Sequence, residues 1–193
     1  MKAKKILVAI VALVLVVACT VGGTLAWLSA QADAVTNTFT VGKIEIELTE
    51  TYNTNDNQWV GKIVPGAEQA KDPTVTVKKG SEKCYVYALV DNQMLVDTKV
   101  AVTPNINTTD WVQVASSGTK TLYRYKAVVD AASADVECPV FTKVTYNGTL
   151  IDETNIAALG EKTITVDAYA HQSENVDQAD ADAAAKTHFG FSA

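Results

Sequence analysis

Apolar and polar residues alternate along several short segments of the chain after residue 36. The first, Thr38–Leu48, shows the two-residue period of a strand with one buried face. The same alternation recurs in Thr74–Lys78, Thr98–Thr103, Trp111–Ala115, Val140–Tyr146 and Thr163–Tyr169. Cys84–Val90 is apolar almost throughout, which predicts a central strand covered on both faces. Together with the turns between them, eight or nine short strands predict an all-β fold, a single β-sandwich with jelly-roll-like topology.

Turn and helix signals complete this picture. Asn147-Gly148 predicts a type I′ turn, and Pro65-Gly66 and Lys79–Ser81 predict two further turns. Only a few short surface helices are expected. The best candidate is the Ala-rich segment Val176–His188, whose acidic residues lie towards its start, as the helix dipole favours. Because no linker or repeat interrupts the pattern, we expect residues 37–193 to form one domain.

The N-terminal segment has the three parts of a secretory signal peptide. Met1–Lys5 is basic, Ile6–Ala18 is apolar, and Gly22-Gly23 with small residues follows. A membrane-spanning helix needs about 20 apolar residues. The run Ile6–Val21 has 16, which favours cleavage over a retained anchor. Small residues at alternate positions allow cleavage before Trp27 or before Asp33.

Cys19 allows a third outcome for this segment. Val16-Val17-Ala18-Cys19 resembles a lipobox, in which the cysteine would be acylated and become the mature N-terminus. The apolar character continues to Val21 and no flexible polar tether follows. We therefore interpret Cys19 as a small apolar residue within the signal.

Several segments resemble one family of secreted proteins. They are Gly22–Leu28, Asn37–Ile46, Lys62–Gly66, Lys71–Val77, Ser81–Tyr87 and Lys162–Gln172. Together they are similar to the TasA/camelysin family of Gram-positive bacteria, whose signal is removed by a SipW-type signal peptidase. The resemblance implies cleavage between Ala26 and Trp27, secretion to the extracellular matrix or cell surface, and a role in biofilm-matrix fibres. This chain is shorter than the best-known fibre formers.

The charge balance of the mature chain limits its partners. Removing residues 1–26 leaves 167 of 193 residues and takes away three lysines, which changes the formal charge from −6 to −9. Such an acidic chain is not expected to bind nucleic acid or anionic lipid headgroups. No second long apolar segment follows residue 26, so no membrane association is expected after cleavage.

Two cysteines remain in the mature chain, Cys84 and Cys138. Outside the cell such a pair can form a disulfide, here across a loop of about 50 residues, worth ~4 kcal/mol on the chain-entropy model. The alternative is two buried free thiols that pack as small apolar side chains. The sequence leaves both open.

Motifs for catalysis are absent from the sequence, and we expect neither an enzyme nor a cofactor. There is no His-Glu-x-x-His zinc motif, nucleophile elbow or phosphate-binding loop. His171, His188 and a carboxylate of Glu174, Asp177 or Asp180 match no zinc-site spacing, which argues against the peptidase label that camelysin-type relatives often carry. Two groups of oxygen-bearing side chains are candidates for calcium binding: Asp177, Asp180 and Asp182, and the loop Asn53–Asn57. Neither has the residue spacing of an EF-hand. We interpret them as a solvated helix face and a hairpin loop.

The segment 27–36 is the candidate for self-assembly. It carries apolar residues and no proline, as an extended strand that adds to the sheet edge of a second copy would. The donor residues would be Trp27, Leu28, Ala30, Ala32, Ala34 and Val35. Head-to-tail addition of this kind builds filaments. The alternatives are a disordered leader, or a first strand paired within its own subunit.

A rival function is a carbohydrate- or surface-binding module. Trp59, Trp111, Tyr123 and Tyr125 would stack on sugar rings if they shared one exposed face. Aromatic residues that alternate in strands more often pack across strands in a core. Of the three candidate functions, namely fibre subunit, binding module and peptidase, the peptidase has the least support from the sequence.

Overall fold

The computed structural model describes residues 42–51 and 62–192. These residues form an all-β, sandwich-like fold with antiparallel sheets. The strands are β1 (Ile46–Thr49), β2 (Glu68–Ala70), β3 (Thr74–Val77), β4 (Cys84–Asn92), β5 (Leu95–Val96), β6 (Lys99–Val100), β7 (Val102–Pro104), β8 (Trp111–Ser117), β9 (Lys120–Tyr125), β10 (Val136–Pro139), β11 (Lys143–Tyr146) and β12 (Ile164–Gln172). The helices are α1 (Ile156–Leu159) and α2 (Gln178–His188), and neither is long and apolar enough to cross a membrane.

The sheets follow a non-sequential strand order. One layer is a four-stranded sheet in the order β12-β4-β9-β8. Two three-stranded sheets, β1-β3-β10 and β2-β11-β7, contribute to the same hydrophobic core. Strands β5 and β6 form a separate hairpin. Apart from the hairpins β5–β6 and β8–β9, paired strands are therefore not consecutive in sequence, which is consistent with the predicted sandwich.

Strand β4 lies at the centre of the four-stranded sheet, as its apolar sequence predicts. Val86, Ala88 and Val90 face the main core between the layers. Tyr87 and Leu89 face the opposite side and belong to a second, smaller core that also contains Ala181 and Ala185 of α2. Since both faces of β4 are covered, the alternation seen in half-exposed strands is missing from its sequence.

Every predicted strand begins or ends at a different residue in the structure, and three of them start several residues later than predicted or are divided. The first strand begins at Ile46, later than predicted, and residues 38–41 lie outside the described residues. The segment Thr98–Thr103 is divided between β6 and β7 at the buried residue Ala101. The segment Val140–Tyr146 contributes only its second half, as β11. Alternation marks buried and exposed positions but does not show where backbone pairing stops.

The predicted type I′ turn at Asn147-Gly148 is wrong. Neither residue has a positive φ angle, and the Asn147 side chain instead accepts a hydrogen bond from the Thr149 amide at 2.9 Å. Positive φ angles occur at Asp97 (49°) and Thr98 (69°), in the two-residue turn that joins β5 to β6. The conformation expected of Asn-Gly is therefore adopted by a sequence with no glycine.

Helix α2 is more than a surface helix. It begins at Gln178, two residues later than predicted, and packs against the outer face of the four-stranded sheet through Ala181 and Ala185. Helix α1 is a single short turn of helix that follows a turn at residues 153–155.

Candidate functional site

Strand β12 forms one edge of the four-stranded sheet. All nine of its residues pair with β4 in one unbroken antiparallel register, from Ile164 opposite Asn92 to Gln172 opposite Cys84. On its other side, no strand among residues 42–51 and 62–192 pairs with it. A long, regular edge strand presents a row of backbone donors and acceptors to which another strand can add. We therefore take β12 as the candidate site.

The hydrogen bonds at the two ends of β12 show which backbone groups face outward. The Gln93 amide donates to the Thr163 carbonyl at 3.0 Å, and the Ser173 amide donates to the Lys83 carbonyl at 2.9 Å. Odd-numbered residues therefore direct their N–H and C=O groups towards β4. Because antiparallel pairing alternates, the even-numbered residues of β12 direct theirs away from the sheet.

Side chains of β12 itself cover two of these outward groups. The Ala168 amide donates to Asp167 Oδ1 at 2.8 Å. His171 Nδ1 lies 2.9 Å from the Gln172 carbonyl oxygen. Between these two points, the N–H and C=O of Ala170 have no hydrogen-bond partner among the described residues. The edge is thus partly covered and partly open.

The inner side of this edge is apolar. The even-numbered residues Ile164, Val166, Ala168 and Ala170 pack against the main core but stay partly exposed. Ile46 and Leu48 of β1 show the same partial burial, and the two strands approach within 8 Å between Cα atoms. A strand added here would therefore meet apolar side chains as well as backbone groups.

The outer side of the edge carries an aromatic cluster. Tyr169 lies at its centre and stacks on His188 of α2, with ring centroids 4.5 Å apart and an interplanar angle of 21°. The rings of His171 and Phe189 have centroids 6.2 Å from that of Tyr169. Both histidines are thus in one cluster, which their separate positions in the sequence did not indicate.

A polar group joins α2 to the sheet beside this cluster. Asp182 Oδ1 accepts a hydrogen bond from the Tyr87 hydroxyl at 2.8 Å and lies 3.0 Å from Arg124 Nε. The two ion-paired side chains are 18% and 10% exposed. Burial, followed by the hydrogen bond to Asp182, raises the pKa of Tyr87 far above its ordinary value, so the hydroxyl remains a donor. The interpretation of the Asp cluster as a solvated face is therefore wrong for Asp182.

Cys84 and Cys138 are fully buried and free in the structure. Cys84 begins β4 and Cys138 lies in β10, and both belong to the main core. Burial raises the pKa of the Cys84 thiol to about 11 and that of Cys138 to about 12. The thiols are therefore protonated and unreactive at neutral pH. A disulfide between them stays a prediction.

The other sequence-based candidates have different places in the structure. Trp111 is only 1% exposed, donates from Nε1 to the Pro139 carbonyl at 2.8 Å and packs edge-on against Tyr125, so it is a core residue and offers no surface for a sugar ring. Within the described ranges, no three His, Cys, Asp or Glu side chains form a group that would hold a metal ion. Four predicted features lie outside the described residues: the cleavage site between Ala26 and Trp27, the possible donor segment 27–36, the loop Asn53–Asn57 and Trp59.

The roles of Asp167 and His171 at this edge, and of the buried partners Tyr87 and Arg124, were not predicted from the sequence. A signal existed for Asp167, because it is the one charged residue in the predicted strand Thr163–Tyr169.

Comparisons with models of protein families, with curated proteins and with solved structures gave no match.

Proposed function

We propose that this chain is a secreted structural protein, a TasA-like subunit of extracellular biofilm-matrix fibres that assembles by strand exchange between subunits. The mature N-terminal segment of one subunit, residues 27–36, is the donor, and the outer edge of β12 in the next subunit is the acceptor. The observation that carries this proposal is the unbroken nine-residue register of β12 on a sheet edge with no described partner.

The residue pattern of the donor segment fits this acceptor. Leu28, Ala30, Ala32 and Ala34 alternate with the polar residues Ser29, Gln31 and Asp33. Strand β12 has the same alternation, with apolar even-numbered residues towards the core and Thr165 and Asp167 outside. When two such strands pair, the apolar side chains of both lie on one face and the polar side chains on the other. Backbone bonds would supply affinity, and the apolar face would favour one register.

This geometry also favours an open assembly. Donor and acceptor are different surfaces of the same chain, so each added subunit presents a new acceptor edge. Heterologous contacts of this kind continue into a filament unless their rotation closes a ring. The secretion signal and the family resemblance support the same function, since a matrix fibre is built outside the cell.

Electron microscopy of the purified mature chain, residues 27–193, tests the proposal. We expect uniform thin filaments in negative stain at high protein concentration, at neutral or mildly acidic pH. Removing residues 27–36 should abolish them while circular dichroism still shows a folded β protein. Filaments that persist unchanged after the deletion would contradict the donor role. If the intact mature chain gives single particles and no filaments, the result contradicts the fibre function and favours a binding module.

A further inference from the structure

The carboxylate of Asp167 occupies a position on the acceptor edge that a second strand would need. Its Oδ1 atom accepts a hydrogen bond from the Ala168 amide at 2.8 Å, and this amide faces away from β4. Any strand that pairs with the middle of β12 must take over this donor. Asp167 is itself exposed and has no ion-pair partner within the described ranges.

We propose that Asp167 is a gate that selects which strand, and in which register, adds to β12. This inference rests on the proposed function and extends it by naming a residue that controls the edge. A strand is admitted only if its own carbonyl replaces the carboxylate at the Ala168 amide. A charged side chain on an edge strand is a common means by which proteins prevent indiscriminate pairing.

The position of the gate also limits the donor. Asp167 lies on the outer face of β12, among the odd-numbered residues. The only charged residue of the segment 27–36 is Asp33. If the apolar even-numbered residues of an added strand face the core, the odd-numbered Asp33 lies on the same outer face as Asp167. Two carboxylates directly opposite each other destabilise a strand pair. The charge of Asp167 therefore disfavours the register that places Asp33 opposite it. In the registers that place Ser29 or Gln31 there, the added strand has only to replace the hydrogen bond to the Ala168 amide.

Hydrogen exchange of single amides tests the gate without any filament. Ala168 and Ala170 both direct their amides outward, but only Ala168 is covered by a side chain. In the monomeric mature chain, we expect the Ala168 amide to exchange more slowly than that of Ala170, and Asp167→Ala to remove the difference. Equal exchange of the two amides in the unsubstituted chain would overturn the proposal.

Assembly rates then test the consequence with three matched variants. Asp167→Ala removes the hydrogen bond that covers the Ala168 amide. Because one hydrogen bond has a net strength of about 1 kcal/mol, we expect the elongation rate to rise about three- to tenfold. Asp167→Asn keeps an acceptor oxygen and should assemble nearly as the unsubstituted chain does. Thr165→Ala changes an exposed residue of the same face that covers no amide, and it should have no effect.

The outcomes separate the gate from the proposed function. If the unsubstituted chain and all variants stay monomeric while the Ala168 amide is protected, strand exchange fails although the covering of the amide is real. If all chains assemble at one rate, the gate fails and strand exchange stands. If Asp167→Asn assembles as fast as Asp167→Ala, charge alone controls the edge, and the hydrogen-bond gate is overturned.

Discussion

The two edges of the four-stranded sheet differ in regularity. Strand β12 pairs with β4 through nine consecutive residues, whereas the register of β8 with β9 shifts between Gln113 and Ala115. A bulge of this kind bends and twists a strand, and it disrupts the row of backbone groups that a partner strand would need. Both strands are edges in the described part of the chain, yet only β12 presents a continuous ladder. We therefore expect β12, rather than β8, to accept an added strand.

Proline substitutions on the two edges should have the largest and most unequal effect. The Ala170 amide faces away from β4, so Ala170→Pro removes no ladder bond within the subunit, but it removes a donor from the outer edge. We expect a folded chain that forms no filaments by electron microscopy. On β8, Ser117 pairs with Lys120 across a two-residue turn, so the Ser116 amide faces outward by the same alternation.

Ser116→Pro is accordingly the matched control. It places proline at an exposed, outward-facing position of the bulged edge, and assembly should continue. If Ser116→Pro abolishes filaments and Ala170→Pro does not, β8 is the acceptor and the comparison of the edges is reversed. Circular dichroism of both variants shows whether each fold is retained.

Removing the Asp182 carboxylate should destabilise the subunit without altering either edge. Asp182→Ala leaves Arg124, whose side chain is 10% exposed, without its ion-pair partner and removes the acceptor of the Tyr87 hydroxyl. We expect the free energy of unfolding to fall by about 2–4 kcal/mol, since breaking a buried pair leaves an uncompensated charge. Urea denaturation measures this change.

Asp180→Ala is the control on the same helix. Asp180 is exposed in the first turn of α2, where a carboxylate contributes about 0.3–1 kcal/mol through the helix dipole. A loss from Asp182→Ala no larger than that from Asp180→Ala would show that the buried group does not hold α2 on the sheet. Filaments formed below the unfolding temperature should be the same in both variants.

The buried thiols predict a fall in stability at alkaline pH. The pKa values of Cys84 and Cys138 are raised by burial from 9.0 to about 11 and about 12. Above pH 9 the unfolded chain therefore loses thiol protons that the folded chain keeps, so the free energy of unfolding falls as pH rises. Near pH 10 the loss is about 1 kcal/mol for each thiol.

Denaturation at pH 8.5 and at pH 10 measures this effect. The double variant Cys84→Ala, Cys138→Ala should lose less stability between the two values than the unsubstituted chain does. Equal losses would contradict the free-thiol state. Thiol titration of the denatured, unreduced chain then shows whether the predicted disulfide has formed. Because Cys84 lies opposite Gln172, the pair also reports on the end of the β12–β4 ladder.

The sequence predicted the class of fold well because alternation and apolar runs report burial directly. The central position of β4 followed from its seven apolar residues, and the structure confirms it. The edge role of β12 could not be predicted in this way, since strand order depends on crossovers between distant segments. The roles of Asp167 and Asp182 depend on a local hydrogen bond and on where α2 packs, and neither leaves a pattern in the sequence.

The smallest effect is expected at the turn between β5 and β6, which lies outside the four-stranded sheet. Thr98 has a φ of 69°, a conformation that a β-branched residue rarely adopts and glycine adopts readily. Thr98→Gly should relieve this strain at the cost of a more flexible unfolded chain, and so raise the free energy of unfolding by roughly 0.5–1 kcal/mol. Asp97→Gly, at the other positive φ of the turn, should gain less, because aspartate tolerates this conformation better than threonine does. Urea denaturation of both variants would contradict the strain argument if Thr98→Gly were destabilising. Elongation rates should not change in either variant, and a change would mean that the β5–β6 hairpin takes part in assembly.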